Sequence, residues 1–260
     1  MEFTFYKYQG TGNDFVIIDN RESFFPKENT ALVAKICDRR FGVGADGLLL
    51  LENHHSVDFK MVYYNSDGNL SSMCGNGGRC ISHFAKFLGI ISEKAIFEAV
   101  DGMHDATIET DWVSLKMNDV EKVEVFEKYT FLNTGSPHHV ELVSELQDFD
   151  VVTNRRTIRN KTYGKEGANV NFVEQNDDAT FSVRTYERGV ENETLSCGTG
   201  VTAVAIAMFE MGKTSENKVT LKTPGGQLQV RFEKEGSSYK NVYLEGPAKQ
   251  VFKGIWKWQH

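Results

Sequence analysis

The chain has 260 residues, 40% hydrophobic and 25% charged, enough for one large domain or two of modest size. A formal net charge of −7, with no basic run to offset it, argues against nucleic acid as a partner. No apolar stretch approaches the roughly 18 residues of a membrane span, "MEFTFYKYQG" lacks the apolar core of a signal peptide, and four cysteines are too few for a disulfide framework in a chain this long. A cytosolic protein with reduced thiols is expected.

In chain order, "DFKMVYY" (58–64) alternates as a strand does. Next comes "SSMCGNGGRC" (71–80), a cysteine placed directly before a glycine-rich turn. Ile81, Phe84, Ala85 and Leu88 then keep helical spacing, and Gly89 stands where a C-cap belongs. The second half repeats the order: the strand "TFSVRTY" (180–186), the turn "LSCGTGVTA" (195–203), and a helix carrying Val204, Ala207, Met208 and Met211. Gly212 follows, then the strand "KVTLKT" (218–223). The second helix, "VTAVAIAMF", is apolar almost all round and should be buried in the middle of its domain.

The two halves match at a shift of 123 residues. Cys74 falls on Cys197, Gly89 on Gly212, "GIISEKAIF" (89–97) on "GKTSENKVT" (212–220), and Gly102 on Gly225. Upstream, "TGND" (11–14) pairs with "TGSP" (134–137) and "GVGAD" (42–46) with "KEGAN" (165–169). Between them, Phe59 through Asn65 matches Phe181 through Glu187 at a shift of 122. This periodicity implies two similar domains, roughly 1–119 and 120–260, facing each other about a pseudo-twofold axis. Each is expected to be a curved mixed sheet wrapped on one central helix, giving an α+β fold.

A helix N-terminus offers unpaired N–H groups and partial positive charge, which should acidify a thiol placed there. Glycines let the same N–H groups approach a carboxylate. Two such sites supply two tunable thiols and two anion nests. That inventory suits inversion at a carbon next to a carboxylate, with one base and one acid on opposite faces. Other readings stay open: Cys74 and Cys197 could form a disulfide in an oxidising setting or, without zinc spacing, serve as isolated metal ligands. Cys37 and Cys80 read as buried and inert, and His54–His55 as a solvated loop pair. No P-loop occurs, nor a strand-linked dinucleotide fingerprint.

At these residues the chain resembles the diaminopimelate epimerase family of cofactor-independent amino-acid racemases. The shared motifs are "GTGNDFVIID" (10–19), "RRFGVGADGLL" (39–49), "YNSDG" (64–68), "MCGNGGRC" (73–80), "GSPHHV" (135–140), "ANVNF" (168–172), "YERG" (186–189) and "SCGTG" (196–200). The resemblance implies two pseudo-symmetric domains with the active site in the cleft between them. The last strand (251–258) would cross back onto the first domain, giving domains 1–119 with 250–260 and 120–249. It makes Cys74 and Cys197 the catalytic acid/bases. Gly75, Asn76, Gly198 and Thr199 would be the backbone nests. Asn13, Asn65, Asn169 and Arg188 would hold the substrate, Glu187 would lie near the reacting amine, and His138 and Ser136 beside the site. The implied reaction converts LL-2,6-diaminopimelate to the meso form in lysine and peptidoglycan precursor biosynthesis, in a cytoplasmic homodimer with no metal or cofactor. Ser136 stands where many relatives carry Asn, and Gly47 where some carry Gln. Alternatives are a proline or hydroxyproline racemase on the same scaffold, or a non-catalytic amino-acid-binding protein.

Overall fold

The computed structural model describes residues 2–158, 163 and 167–257. They form two compact units, one built from the chain up to Leu115 and from Gly246 onward, the other from Lys116 to Glu245.

In the first unit, strands β1 (Glu2–Gly10), β2 (Asn13–Asp19), β3 (Gly47–Glu52), β4 (Phe59–Asn65), β5 (Lys94–Ala99), β6 (Gly102–Glu109) and β7 (Trp112–Lys116) pair in chain order. The joins run antiparallel, parallel, antiparallel, parallel, antiparallel, antiparallel. The second unit, after a short β8 (Val123–Val125), uses β9 (Thr130–Asn133), β10 (Pro137–Leu142), β11 (Asn169–Gln175), β12 (Thr180–Glu187), β14 (Lys218–Thr223), β15 (Gly226–Glu235) and β16 (Ser238–Pro247). From β9 to β15 its joins repeat the series, antiparallel, parallel, antiparallel, parallel, antiparallel, and β16 then adds antiparallel to β15. The three-residue β13 (Asn192–Thr194) adds to the far end of β12, as the Tyr64–Leu70 bridge does at β4. The last strand, β17 (Lys249–Lys257), lies antiparallel to β1, as β8 does to β9. Trp258 of the anticipated last strand lies outside the described residues.

Helix α2 (Gly75–Phe87) packs on the first sheet and α4 (Gly198–Glu210) on the second. Both run 13 residues and both start directly after a cysteine. Both end in the same way. Gly89 and Gly212 adopt left-handed φ of 72° and 66°. Their N–H groups bond Lys86 O and Phe209 O, while Ile90 N and Lys213 N bond Ala85 O and Met208 O. This is the Schellman pattern, and it needs glycine for the left-handed turn. Val201 through Met208 are all buried, as an all-apolar helix requires.

A second helix in each unit escaped the sequence reading. Short helices α1 (Thr30–Cys37) and α3 (Val151–Ile158) cover the other face of each sheet. Asn29 caps α1 by accepting from Leu32 N at 2.9 Å. With helices on both faces, β2 and β3 have no solvent side, which explains the unbroken apolar runs "FVII" and "LLLL". Val16, Ile18, Leu48 and Leu50 pack with α1. Alternation turns Leu49 to the α2 side, where it lies beside Gly77.

The repeat also slips where one shift had been read. Gly102 opens the β5–β6 hairpin at φ 125°, and its counterpart is Gly226 at φ 138°, not Gly225. Ala99 pairs with Gly102 as Thr223 pairs with Gly226, so the shift there is 124. The hairpin needs a residue tolerant of positive φ, and that requirement fixes the register. Gly44 and Gly167 do match, both at positive φ, while Lys165 and Glu166 lie outside the described residues.

Candidate active site

In the first unit, β1 and β2 join through Thr11 and Gly12, whose φ values of 52° and 83° give a two-residue hairpin turn of the kind that suits strand twist. The turn sets Asn13 as the first residue of β2. Cys74 has extended backbone (φ −112°, ψ 121°), and its carbonyl accepts the first helical bond from Gly78 N at 2.7 Å, so it is the N-cap residue of α2. Its Sγ approaches Asn13 Oδ1 at 3.5 Å, and the buried Asn76 donates to the same oxygen at 3.2 Å. Asn13 in turn donates to Asp46 at 2.7 Å. Arg39 bridges Asp46 and Asp14 at 2.7 and 2.6 Å, and Lys7 reaches Asp14 at 2.6 Å. Burial alone would raise the Asp14 carboxyl, but bonds and charge from Arg39 and Lys7 take it down to about 2. Thus Cys74, Gly75, Asn76 and Asn13 come together, on a charged brace that sequence reasoning missed.

Asn65 ends β4 opposite Gly47 and is exposed. Gly47 is explained by space. A Cβ there would lie 2.5 Å from both the Tyr63 ring and the Tyr64 carbonyl, so no larger residue fits.

In the second unit, Cys197 is the N-cap of α4 with nearly the same backbone (φ −118°, ψ 113°), and its carbonyl accepts from Val201 N. It is only 8% exposed. Its sulfur meets the Thr199 hydroxyl at 3.5 Å and the Gly200 N–H. Here the expected acidification fails. Burial, followed by the negative charge of Glu187, pushes the Cys197 thiol well up, outweighing the Thr199 and Gly200 bonds. Glu187 itself accepts from Thr194 at 2.9 Å, and Thr199 O accepts from Thr134 at 2.9 Å.

A second polar group lies at the starts of β10 and β11. Asn169 accepts from Arg188 N at 2.8 Å and donates to Ser136 Oγ at 3.0 Å. Ser136, the departure from the commoner Asn, thus makes a direct bond within the anticipated binding set. His138 is fully buried, and that burial, with the Arg188 charge, lowers its basicity to about 3. Asn171, not anticipated, joins His138 to the α4 turn. It shares a strand face with Asn169, and a Cβ added to Gly200 would lie 2.6 Å from its Oδ1 and 3.2 Å from Cys197 Sγ. A polar residue two along from Asn169 in "NVNFV" was the available signal.

None of the four cysteines is joined in a disulfide. Burial pushes both Cys37 and Cys80 up to about 12. His54 is less solvated than expected, with its ring on His55 and Nε2 3.1 Å from Glu98. Among the described residues no group of three His, Cys, Asp or Glu side chains could hold a metal ion. No helix among them is long and apolar enough to cross a membrane.

The model of the diaminopimelate epimerase family matches residues 5–123 and 130–251. The chain is 60% identical to the diaminopimelate epimerase of Flavobacterium psychrophilum, covering 95% of this chain and 97% of that one. It is 40% identical to that of Chlorobaculum tepidum, over 94% and 98%. Among solved structures it resembles a Bacillus anthracis phenazine biosynthesis protein of the PhzF family (TM-score 0.78, 13% identity, 99% of both chains). It also resembles a hydroxyproline epimerase from Agrobacterium vitis with bound trans-4-hydroxy-L-proline (TM-score 0.71, 14% identity, 98% and 92%). At such identities these two likenesses show the fold alone.

Proposed function

The chain belongs to the diaminopimelate epimerase family and is an isomerase, and we propose that it converts LL-2,6-diaminopimelate to the meso form with Cys74 and Cys197 as the two acid/bases. The observation that carries this is the pair of cysteines, each the N-cap of a 13-residue helix with a glycine-rich first turn.

The chemistry conserves protons. A thiolate removes the α-proton from one face of the substrate and becomes a thiol. The electron pair left on carbon spreads into the adjacent carboxylate, where N–H groups from Gly75, Asn76, Gly198 and Thr199 stabilise the gathering charge. The other thiol delivers its proton to the opposite face and becomes the thiolate. The enzyme ends with its proton on the other sulfur, and the reverse reaction uses the exchanged roles. Burial and the Glu187 charge favour the protonated thiol at Cys197, which suits that sulfur to the acid role.

The second amino-acid end of the substrate calls for its own polar set, and Asn13, Asn65, Asn169 and Arg188 fit that task. Arginine suits a carboxylate and amide oxygens suit an ammonium group. Such a set exceeds what the ring of proline could engage. The reading extends to a cytosolic homodimer, with the exposed Val251 and Ile255 of β17 as the apolar surface a second copy would cover. The test is α-deuteration and chirality in D₂O with LL-diaminopimelate, proline, hydroxyproline, lysine and glutamate supplied separately. Rapid exchange confined to diaminopimelate is expected. Preference for proline or hydroxyproline would move the chain to the alternative racemases, and failure with every amino acid would leave a binding protein.

A further inference from the structure

We propose that Arg79 is a positioning residue that acts through Cys74, its buried guanidinium supplying the fixed positive charge that holds this sulfur as the thiolate of the free protein. Arg79 lies one turn into α2 and is fully buried. Its Nη2 donates to the Thr11 hydroxyl at 3.1 Å, whereas Nε and Nη1 have no hydrogen-bond partner among the described residues. The end of β1 closes over the group, since a Cβ on Gly10 would lie 3.1 Å from Nη2.

A buried charge is costly unless a counter-charge lies close. Arg79 does not escape that cost by losing its proton: burial lowers its hold only to about 10, which leaves it cationic at neutral pH. Among the described residues no carboxylate pairs with it, and the ionisable groups that act on it are the thiols of Cys80 and Cys74. Cys80 cannot answer the charge, because burial pushes its thiol up to about 12. Cys74 can. It is half-buried at the N-cap of the same helix, where the first-turn N–H groups add partial positive charge. One contact opposes the thiolate, the 3.5 Å approach of Sγ to Asn13 Oδ1. That oxygen belongs to a neutral amide and also accepts from Asn76, and a full charge in a low-dielectric interior outweighs it. Asp46 bonds the NH₂ end of the same amide and is itself tied to Arg39.

The second unit has the opposite arrangement. At the repeat's shift, Thr202 stands for Arg79 and Thr134 for Thr11. Thr202 is equally buried but neutral, bonding Gly198 O at 2.9 Å, and Thr134 bonds Thr199 O directly. The charged side chain acting on Cys197 is Glu187. One sulfur thus answers to a cation and the other to an anion. That the thiolate so held is the base of the reaction rests on the proposed function; its charge state in the free protein does not.

The experiment follows iodoacetamide labelling of Cys74 against pH in the substrate-free full chain, with the labelled residue located by peptide mass spectrometry. In wild type the midpoint should fall below the ordinary thiol value of about 8.5. Arg79→Met exchanges a buried charge for an apolar side chain and so need not lose stability. It should raise the midpoint by at least about one unit, a tenfold loss of thiolate at a given pH below it. Its kcat/KM should fall about tenfold at neutral pH and recover as pH rises, which a merely structural loss would not do. Cys80→Ala should leave the Cys74 midpoint unchanged, since a neutral thiol supplies no charge. A wild-type midpoint at or above about 8.5 overturns the proposal, as does an unchanged midpoint in folded Arg79→Met. If that variant does not fold, the wild-type midpoint alone decides. Because labelling needs no substrate, failure of the proposed reaction would show separately in the exchange assay.

Discussion

The two N-terminal helix turns contain glycines at equivalent places, Gly77 in α2 and Gly200 in α4, and the same substitution should have opposite effects on them. Replacing Gly by Ala inside a helix gains about 0.8–1.0 kcal/mol in propensity where space allows. At Gly77 the new Cβ would meet Met61 Cε at 3.4 Å and Cys74 Cβ and Leu49 Cδ2 at 3.6 Å, all ordinary contacts. At Gly200 it would lie 2.6 Å from Asn171 Oδ1 and 3.2 Å from Cys197 Cβ and Sγ. Oδ1 must retreat by about 0.8 Å to restore ordinary contact, yet the Asn171 amide is held by His138, His139 O and Thr185. Breaking two of those bonds costs about 0.5–1.5 kcal/mol each, and overpacking adds about 1–3 kcal/mol. Against the propensity gain, Gly200→Ala should be destabilised by about 1–5 kcal/mol, whereas Gly77→Ala should be stabilised by up to about 1 kcal/mol. Denaturant midpoints at unchanged slope measure both. If Gly200→Ala matches or exceeds wild type in stability, the packing of Asn171 against the Cys197 turn is not what holds this position to glycine.

Two further outcomes follow from the site. Alanine at either Cys74 or Cys197 should abolish steady-state epimerisation, while Cys37→Ala and Cys80→Ala keep most of it at some cost in stability; substantial turnover by Cys74→Ala would sink the two-base reading. The pH dependence of stability should carry two signatures, one on each side of neutrality. His138 binds its proton less readily folded (about 3) than as an ordinary, unfolded histidine (about 6.5), so its contribution is full above about pH 6.5 and is lost as pH falls toward 3. The buried thiols bind protons more readily when folded, so their contribution is full below the unfolded thiol pKa of about 8.5. It is lost as pH rises toward about 12 for Cys37 and Cys80. Urea midpoints across pH 3–11 in wild type, a His138→Gln variant and a Cys37→Ala/Cys80→Ala variant should show the acid and alkaline slopes flattening separately; unchanged slopes in the variants would assign the pH dependence to other groups.

The backbone frame was legible because it rests on local rules. Left-handed glycines after α2 and α4, apolar spacing within the helices and alternation in β4 and β12 each act over a few residues and leave their mark in order. The missing helices were less visible because α1 and α3 are only eight residues long and follow loops without strong periodicity. The one-residue error at Gly225 arose because two adjacent glycines cannot be told apart until strand pairing shows which one takes the turn. Contacts across the sheet were also hidden: nothing in the spacing links Asn13 to Asp46, or Gly200 to Asn171, since each pair meets only when strands or helix and strand are packed. Composition gave a helix-start thiol but not its burial, and for Cys197 burial decides the sign of the shift.

Repetition accounts for two thiols, and the proposed inversion uses them in different protonation states. At rest one holds a proton and the other can take one; two identical sites would populate both assignments equally, so an order between them requires that their surroundings differ. The two units keep the same backbone at their cysteines, within 8° in both φ and ψ. Their side chains have diverged around that backbone. Cys74 is half-buried against the Asn13 amide, whose oxygen also accepts from Asn76 and whose NH₂ is anchored by the Asp46–Arg39–Asp14 brace. Cys197 is buried beside the Glu187 carboxylate, and Asn171 lies close against its turn, at a position where the nearest side chains in the first unit include Met61 and Leu49. A negative charge beside a desolvated sulfur opposes a second negative charge there, so the resting proton stays on Cys197. The divergence of side chains about a repeated backbone thus gives the two thiols different surroundings, which the proposed acid and base roles call for and the repeat alone does not supply.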